Sequence, residues 1–133
     1  MQELSGKDVF DVVVRLPKTL GSNASVAQAR AALQDDHVHM LLITDDEGRL
    51  LGTITRDDLT GLDSGAPALQ HAVLRDRTIE PATSAAEALR LMTARGERRR
   101  AVVDPDGHLL GLLCVKRRLS GFCSDADARA RKS

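Results

Sequence analysis

Displaced by 59 positions, the sequence falls on itself. Gly52 lands on Gly111, Gly48 on Gly107, Asp45 on Asp104, Leu50 and Leu51 on Leu109 and Leu110, Ser25 on Ser84, Ala27 on Ala86, Ala29 on Ala88 and Thr19 on Thr78. The identities are few, but they fall on residues with specific backbone duties: helix caps, turn glycines and the glycine of a strand. A chain with such a repeat folds as two copies of one supersecondary unit. One copy is too small to cover both faces of its own sheet, so the two must pack as one body.

Each copy announces its elements in the same order. Ser25-Val-Ala-Gln28 and Ser84-Ala-Ala-Glu87 read as capping boxes that open helices. Apolar stripes follow at three-to-four residue spacing: Val26, Ala29 and Leu33 in one copy, Ala85, Ala88, Leu89 and Met92 in the other. Gly96 is placed to end the second helix in a left-handed cap. Short apolar runs then flank the turns Asp45-Asp-Glu-Gly48 and Asp104-Pro-Asp-Gly107, whose last residue supplies the positive φ of a hairpin. The predicted architecture is an α/β (α+β) fold of two β-α-β-β-α repeats, packed sheet to sheet with pseudo-twofold symmetry. Repeat 1 is expected over 8–62, a connection over 63–76, repeat 2 over 77–123 and a polar tail over 124–133.

Composition narrows the function. Nineteen Lys and Arg balance 19 Asp and Glu, so there is no field of one sign to recruit a polyanion. Phe10 and Phe122 are the only aromatic residues. The core must be aliphatic, a flat ligand must be held by aliphatic side chains and backbone, and base stacking on exposed rings is unavailable, which makes nucleic acid an improbable partner. No apolar run approaches the ~18 residues of a membrane helix and no secretory leader is evident, so a cytoplasmic protein with reduced thiols is expected. Cys114 and Cys123, nine residues apart, match no zinc-binding spacing.

One segment carries chemistry. The strand ending at Gly52-Thr-Ile-Thr55 runs into Arg56-Asp57-Asp58-Leu59. A hydroxyl residue at the strand end, helix-start amides and a carboxylate three residues on would suit an anion and a sugar diol together, and Gly52 would let a ligand approach the backbone. Nucleoside phosphates need all three. Thr55 to Asp58 is equally a capping box that requires no ligand.

With these residues in place, the chain resembles a tandem pair of cystathionine β-synthase (CBS) domains, a Bateman module, across about 8–122. The resemblance implies a regulatory module, here a stand-alone one, that binds an adenosine-containing ligand (AMP, ADP, ATP or S-adenosylmethionine) between its repeats and pairs into a homodimer. It implies that Asp58 holds the ribose, that Thr55 contacts ribose or phosphate with Arg56 beside it, that Gly52 is the motif glycine, and that Thr53 stands in a usually hydrophobic place. It implies that Thr19 and Leu20 line the base or sugar, and that His39, Arg98 and Arg99 reach phosphates. The second copy departs, with Cys114 at the hydroxyl position and Arg117 at the carboxylate position. A cation cannot accept from ribose hydroxyls, so one competent site is expected.

Other features point less far. His37 and His39 would share one face of a strand, but no third metal ligand accompanies them. Arg98-Arg-Arg100 reads either as a solvated surface run or as a phosphate clamp, and Lys116-Arg-Arg118 either joins it or stands apart. No nucleophile has an oriented base, and adjacent Asp57 and Asp58 splay apart, so an enzyme is not expected and no cofactor is called for. Two readings remain. One is an adenosyl-ligand sensor acting through its dimer or a protein partner; the other is a ligand-independent interaction or dimerisation module in which Thr55 and Asp58 only cap a helix.

Overall fold

A computed structural model describes residues 4, 6–14, 17–35, 38–116 and 121–123. The elements run α1 (Val9–Val12), β1 (Thr19–Gly21), α2 (Val26–Ala32), β2 (Leu41–Thr44), β3 (Leu50–Ile54), β4 (Thr78–Ile79), α3 (Ala85–Ala94), β5 (Arg99–Val103) and β6 (Leu109–Cys114). They form two three-stranded sheets, β1-β2-β3 and β4-β5-β6. In each, the first pair is parallel and the second antiparallel. A parallel pair needs a crossover, which α2 and α3 provide; the antiparallel pairs close through hairpins at Gly48 and Gly107, with φ of 84° and 88°.

The caps form largely as their sequences predict. Ser25 Oγ accepts from the Gln28 amide at 3.1 Å and Gln28 Oε1 from the Ser25 amide at 2.9 Å. Ser84 Oγ accepts from the Glu87 amide at 3.4 Å. Gly96, at φ 69°, ends α3.

The sheets meet about a pseudo-twofold axis. The Leu50 amide donates to the Gly107 carbonyl and the Leu109 amide to the Gly48 carbonyl, both at 2.9 Å. Arg49 bridges His108 between these bonds. Each of these bonds is the other displaced by the repeat, and Arg49 faces its own counterpart, which a twofold axis requires. Beside this seam, Met40, Leu42, Leu50 and Ala101 are buried together with Val103, Leu109 and Leu112 packed on them. The opposite faces of the sheets carry Leu41 and Ile43 against α2, and Val102 and Leu113 against α3.

The repeats also exchange their leading segments. Val9 and Val13 are buried among Ala85, Ala88, Met92, Val102 and Phe122 of the second copy. Val14 exchanges backbone bonds of 2.8 Å with Leu112. In the same way Ala68 is buried among Val26, Ala29, Ile43 and Leu59 of the first copy, and Val73 exchanges bonds of 2.8 Å with Thr53. Val14 and Val73 are themselves repeat counterparts.

This crossing explains the strand glycines. A Cβ on Gly52 would stand 2.4 Å from Ala72 Cβ, and one on Gly111 would stand 2.5 Å from the Val14 carbonyl oxygen. The close approach at Gly52 is made by the protein's own chain, at Ala72.

The closing helix of the first copy is shorter than predicted. It is a 3-10 turn, Asp57–Leu59, followed by a second one, Ala68–His71. Gly61 at φ 76° interrupts the run and Pro67 stands at the start of the second turn. The corresponding residues 117–120, including Arg117 and Arg118, lie outside the described residues, as do His37 and the tail 124–133.

Candidate functional site

Where the sheets face each other at the ends of β3 and β5, His39, Met40, Thr55, Asp76, Arg77, Glu97, Arg98 and Arg99 line a cleft of about 230 Å³. Both repeats contribute. Residues 39–40 lead into β2, Thr55 follows β3, residues 76–77 precede β4, and residues 97–99 join α3 to β5. The structure therefore brings together His39, Thr55, Arg98 and Arg99 from the residues the sequence singled out.

Asp58 does not itself line this cleft but holds two residues that do, Thr55 and Arg77. Its Oδ2 accepts from the Thr55 amide at 2.8 Å, the Thr55 hydroxyl at 3.0 Å and Arg77 Nη1 at 3.0 Å, while Oδ1 accepts from Arg77 Nη2 at 3.3 Å. The Asp58 side chain is 17% exposed and that of Arg77 25%. Burial is the largest influence on the carboxyl and favours its neutral form. The hydrogen bonds from Arg77, then those from the Thr55 amide and hydroxyl, together outweigh it and hold the group below the usual carboxylate range. Asp58 is thus an anion gripped by a planar, two-pronged cation.

The Thr55 hydroxyl does not cap a helix, since it donates to Asp58 rather than accepting from an amide. The turn that follows has only three residues, so the predicted array of helix-start amides is not assembled.

Other predicted residues lie elsewhere. Arg56 turns to the end of α2: Nη2 donates to the Leu33 carbonyl and, at 3.0 Å, to the Asp35 carbonyl, and Nη1 lies 3.4 Å from His39 Nδ1. Cations commonly satisfy terminal helix carbonyls in this way. Arg56 lines a neighbouring cleft of about 410 Å³ with Arg30, Leu33, Gln34 and Leu59. Thr19 and Leu20 sit on β1 beside Leu42 and Ile43, and neither they nor Gly52 line the first cleft.

Thr53 is fully buried. Its hydroxyl donates to the Val73 carbonyl at 2.6 Å and receives Arg77 Nη1 at 3.3 Å, which accounts for a polar residue at a usually hydrophobic position. The arginine run also divides. Arg100 is buried, paired through Nε to Glu97 at 2.7 Å and donating Nη1 to the Thr78 carbonyl at 3.0 Å. It is therefore part of the core, whereas Arg98 and Arg99 face the cleft.

Met40, Asp76, Arg77 and Glu97 line the cleft without having been singled out as site residues in the sequence, and Arg77 is the one that contacts Asp58. The available signal was its repeat counterpart, Lys18: each copy places a cation immediately before the threonine that opens its first strand.

The fold is shared with other proteins. The CBS domain family model matches residues 9–65 and 73–120, and the chain belongs to this family as a tandem CBS pair. No curated protein matches the sequence. Among solved structures, the CBS pair domain of protein SO5017 from Shewanella oneidensis MR-1 is 21% identical, with 96% of this chain and 71% of that one covered and a TM-score of 0.73. CBSX2 in complex with AMP is 26% identical over 86% of this chain and 93% of that one, also with a TM-score of 0.73. The cytosolic domain of the Mg2+ channel MgtE in complex with ATP is 21% identical, with 82% of this chain and 46% of that one covered, at a TM-score of 0.69. No helix among the described residues is long and apolar enough to cross a membrane.

Proposed function

We propose that this CBS pair is a non-catalytic regulatory module that binds a phosphorylated adenosine, AMP, ADP or ATP, in the cleft lined by Thr55, Arg77, Arg98 and Arg99. The single observation that carries the reading is the meeting, in one cleft, of Thr55 and Arg77, the two residues that hold the Asp58 carboxylate, with Arg98, Arg99 and His39. A carboxylate offers acceptors to a ribose diol, and guanidinium groups pair with phosphate. CBSX2 and MgtE, crystallised with AMP and with ATP, support the ligand class.

Arg77 shapes how binding proceeds. Arg77 holds both Asp58 oxygens, so a ribose that takes both competes with the guanidinium, and a phosphate is a partner that keeps a released cation satisfied. At about 230 Å³ the cleft is also smaller than the roughly 300–1,000 Å³ usual for small-molecule sites. Movement of Arg77 provides the missing space. S-adenosylmethionine offers the same cations a single carboxylate in place of a phosphate, and its sulfonium is repelled by them. Ligand binding then shifts the balance between two arrangements of the repeats, and the change is passed on through a homodimer or a protein partner.

A second reading rests on the same contact: Asp58 already has a full set of partners and serves only to tie the repeats together in an interaction module. A thermal-shift panel of AMP, ADP, ATP, S-adenosylmethionine and NAD on wild type and Asp58→Ala separates them. A ligand at 100 times its Kd should add about 2.7 kcal/mol of stability to wild type, and none to the variant. If the variant melts lower while no adenosine compound shifts either protein, the second reading holds.

A further inference from the structure

Cys114 and Cys123 are thiols in this structure and both are buried. Their Sγ atoms stand 2.9 Å apart. The backbone sets this distance. The Cys123 amide donates to the Cys114 carbonyl at 2.7 Å and the Lys116 amide to the Gly121 carbonyl at 2.8 Å, with Val115 bridged to Phe122 between them. This ladder puts the two cysteines directly opposite each other on antiparallel neighbours. Such a pair has its Cα atoms about 5.5 Å apart, within the ~4.4–6.8 Å that a disulfide spans.

Both sides of the pair are anchored. Cys114 is held on β6 by its pairing with Arg99 of β5. Phe122, beside Cys123, is fully buried in the core of the second repeat. Closing the bond between the two sulfurs therefore needs side-chain rotation alone, whereas the first attack on an external disulfide needs a transient local opening that exposes one of these buried thiols.

We propose that Cys114 and Cys123 are a redox-modification site that closes reversibly into an intrachain disulfide, fastening residues 121–123 to β6. The oxidant is a low-molecular-weight disulfide. One cysteine thiolate attacks it and releases one small thiol, leaving a mixed disulfide on the protein. The second thiolate attacks the protein sulfur of that adduct and releases the other small thiol. Two protein thiols become one disulfide, and their two electrons and two protons end on the two small thiols.

The position gives the modification its meaning. Cys114 is the repeat counterpart of Thr55, and it packs with Cys123 and Val14, the residue by which the leading segment crosses onto β6. The disulfide would lock this junction in the second repeat while leaving the Thr55–Asp58 cleft of the first unmodified. The inference does not depend on nucleotide binding.

The test is equilibration of the full chain in buffers of oxidised and reduced glutathione, native and in concentrated urea. Remaining thiols are alkylated after unfolding and the protein is analysed by mass spectrometry. The expected product has lost two hydrogens and both alkylation sites, and Cys114→Ser and Cys123→Ser each abolish it. Its equilibrium constant should be at least about tenfold larger for the native protein than in urea, because the fold pre-positions the sulfurs. Full alkylation of both cysteines throughout, accumulation of the glutathione adduct on wild type, cross-linked chains, or equal constants in the two solvents would each overturn the proposal.

Discussion

Arg77 and Asp58 meet across the boundary between the repeats, with Nη1 on Oδ2 at 3.0 Å and Nη2 on Oδ1 at 3.3 Å. The arginine precedes the first strand of one copy and the aspartate follows the last strand of the other. The pair ties the two repeats together and holds Arg77, which lines the cleft.

Arg77→Ala should therefore act in opposite directions on two ligands. Adenosine gains, because its competitor for Asp58 is gone. AMP loses a phosphate partner worth about 1.5–3 kcal/mol for a charged hydrogen bond. The ratio of AMP to adenosine affinity, read by calorimetry, is expected to fall by about tenfold or more, and an unchanged ratio would refute Arg77 as a phosphate ligand.

Asp58 also makes stability depend on acid. Its folded carboxyl titrates below the ordinary value of 3.8, so in that interval the unfolded chain binds more protons and stability rises with pH. The contribution is complete above the unfolded value and disappears as pH falls through the folded one. Asp45 and Asp104 are lowered as well, by backbone hydrogen bonds from Arg49 and His108 before all else, so the acid slope is shared. Asp58→Asn is expected to flatten it in urea denaturation series between about pH 5 and pH 2. A slope identical to that of wild type would rule out the assignment.

The crossing segments predict a contrast among glycines. Gly111→Ala forces a methyl against the Val14 carbonyl and Val13, and Gly52→Ala against Ala72; each should cost about 1–3 kcal/mol of stability. At Gly21 nothing lies within 4 Å of a new Cβ, and Gly21→Ala should stay within about 0.5 kcal/mol of wild type. Chemical denaturation of the three variants checks the order.

Exchange of leading segments predicts where an N-terminal defect is felt. Val9→Ala empties space among Ala85, Ala88 and Met92 and should cost about 2 kcal/mol through lost burial and the cavity left behind. Hydrogen exchange should then accelerate across α3, β5 and β6 more than across α2 and β2. Faster exchange confined to the first repeat would contradict the exchange of segments.

Much of this was legible in the sequence because the signals were local. Ser25 with Gln28, the hairpin glycines 48 and 107, Gly96, and the apolar runs that became β2 and β5 follow from cap chemistry, positive φ and periodicity, all of which act within a few residues. The 59-residue repeat added the sheet-to-sheet pairing. The closing helix read from residues after Thr55 was too long, because the pattern there is interrupted by Gly61 and Pro67.

What the sequence determined by itself was the unit, its duplication, and the candidates His39, Thr55, Arg98 and Arg99 that one cleft brings together. Only the tertiary structure decided that Ala72 and Val14 lie over the strand glycines, that Arg56 is spent on α2 and Arg100 on the core, and that Arg77 grips Asp58. The reason is physical. Caps and turns are set by neighbours in the chain, whereas Arg77 with Asp58, Arg56 with Asp35 and Arg100 with Thr78 join residues 19 or more positions apart, and no local pattern records where such distant segments meet.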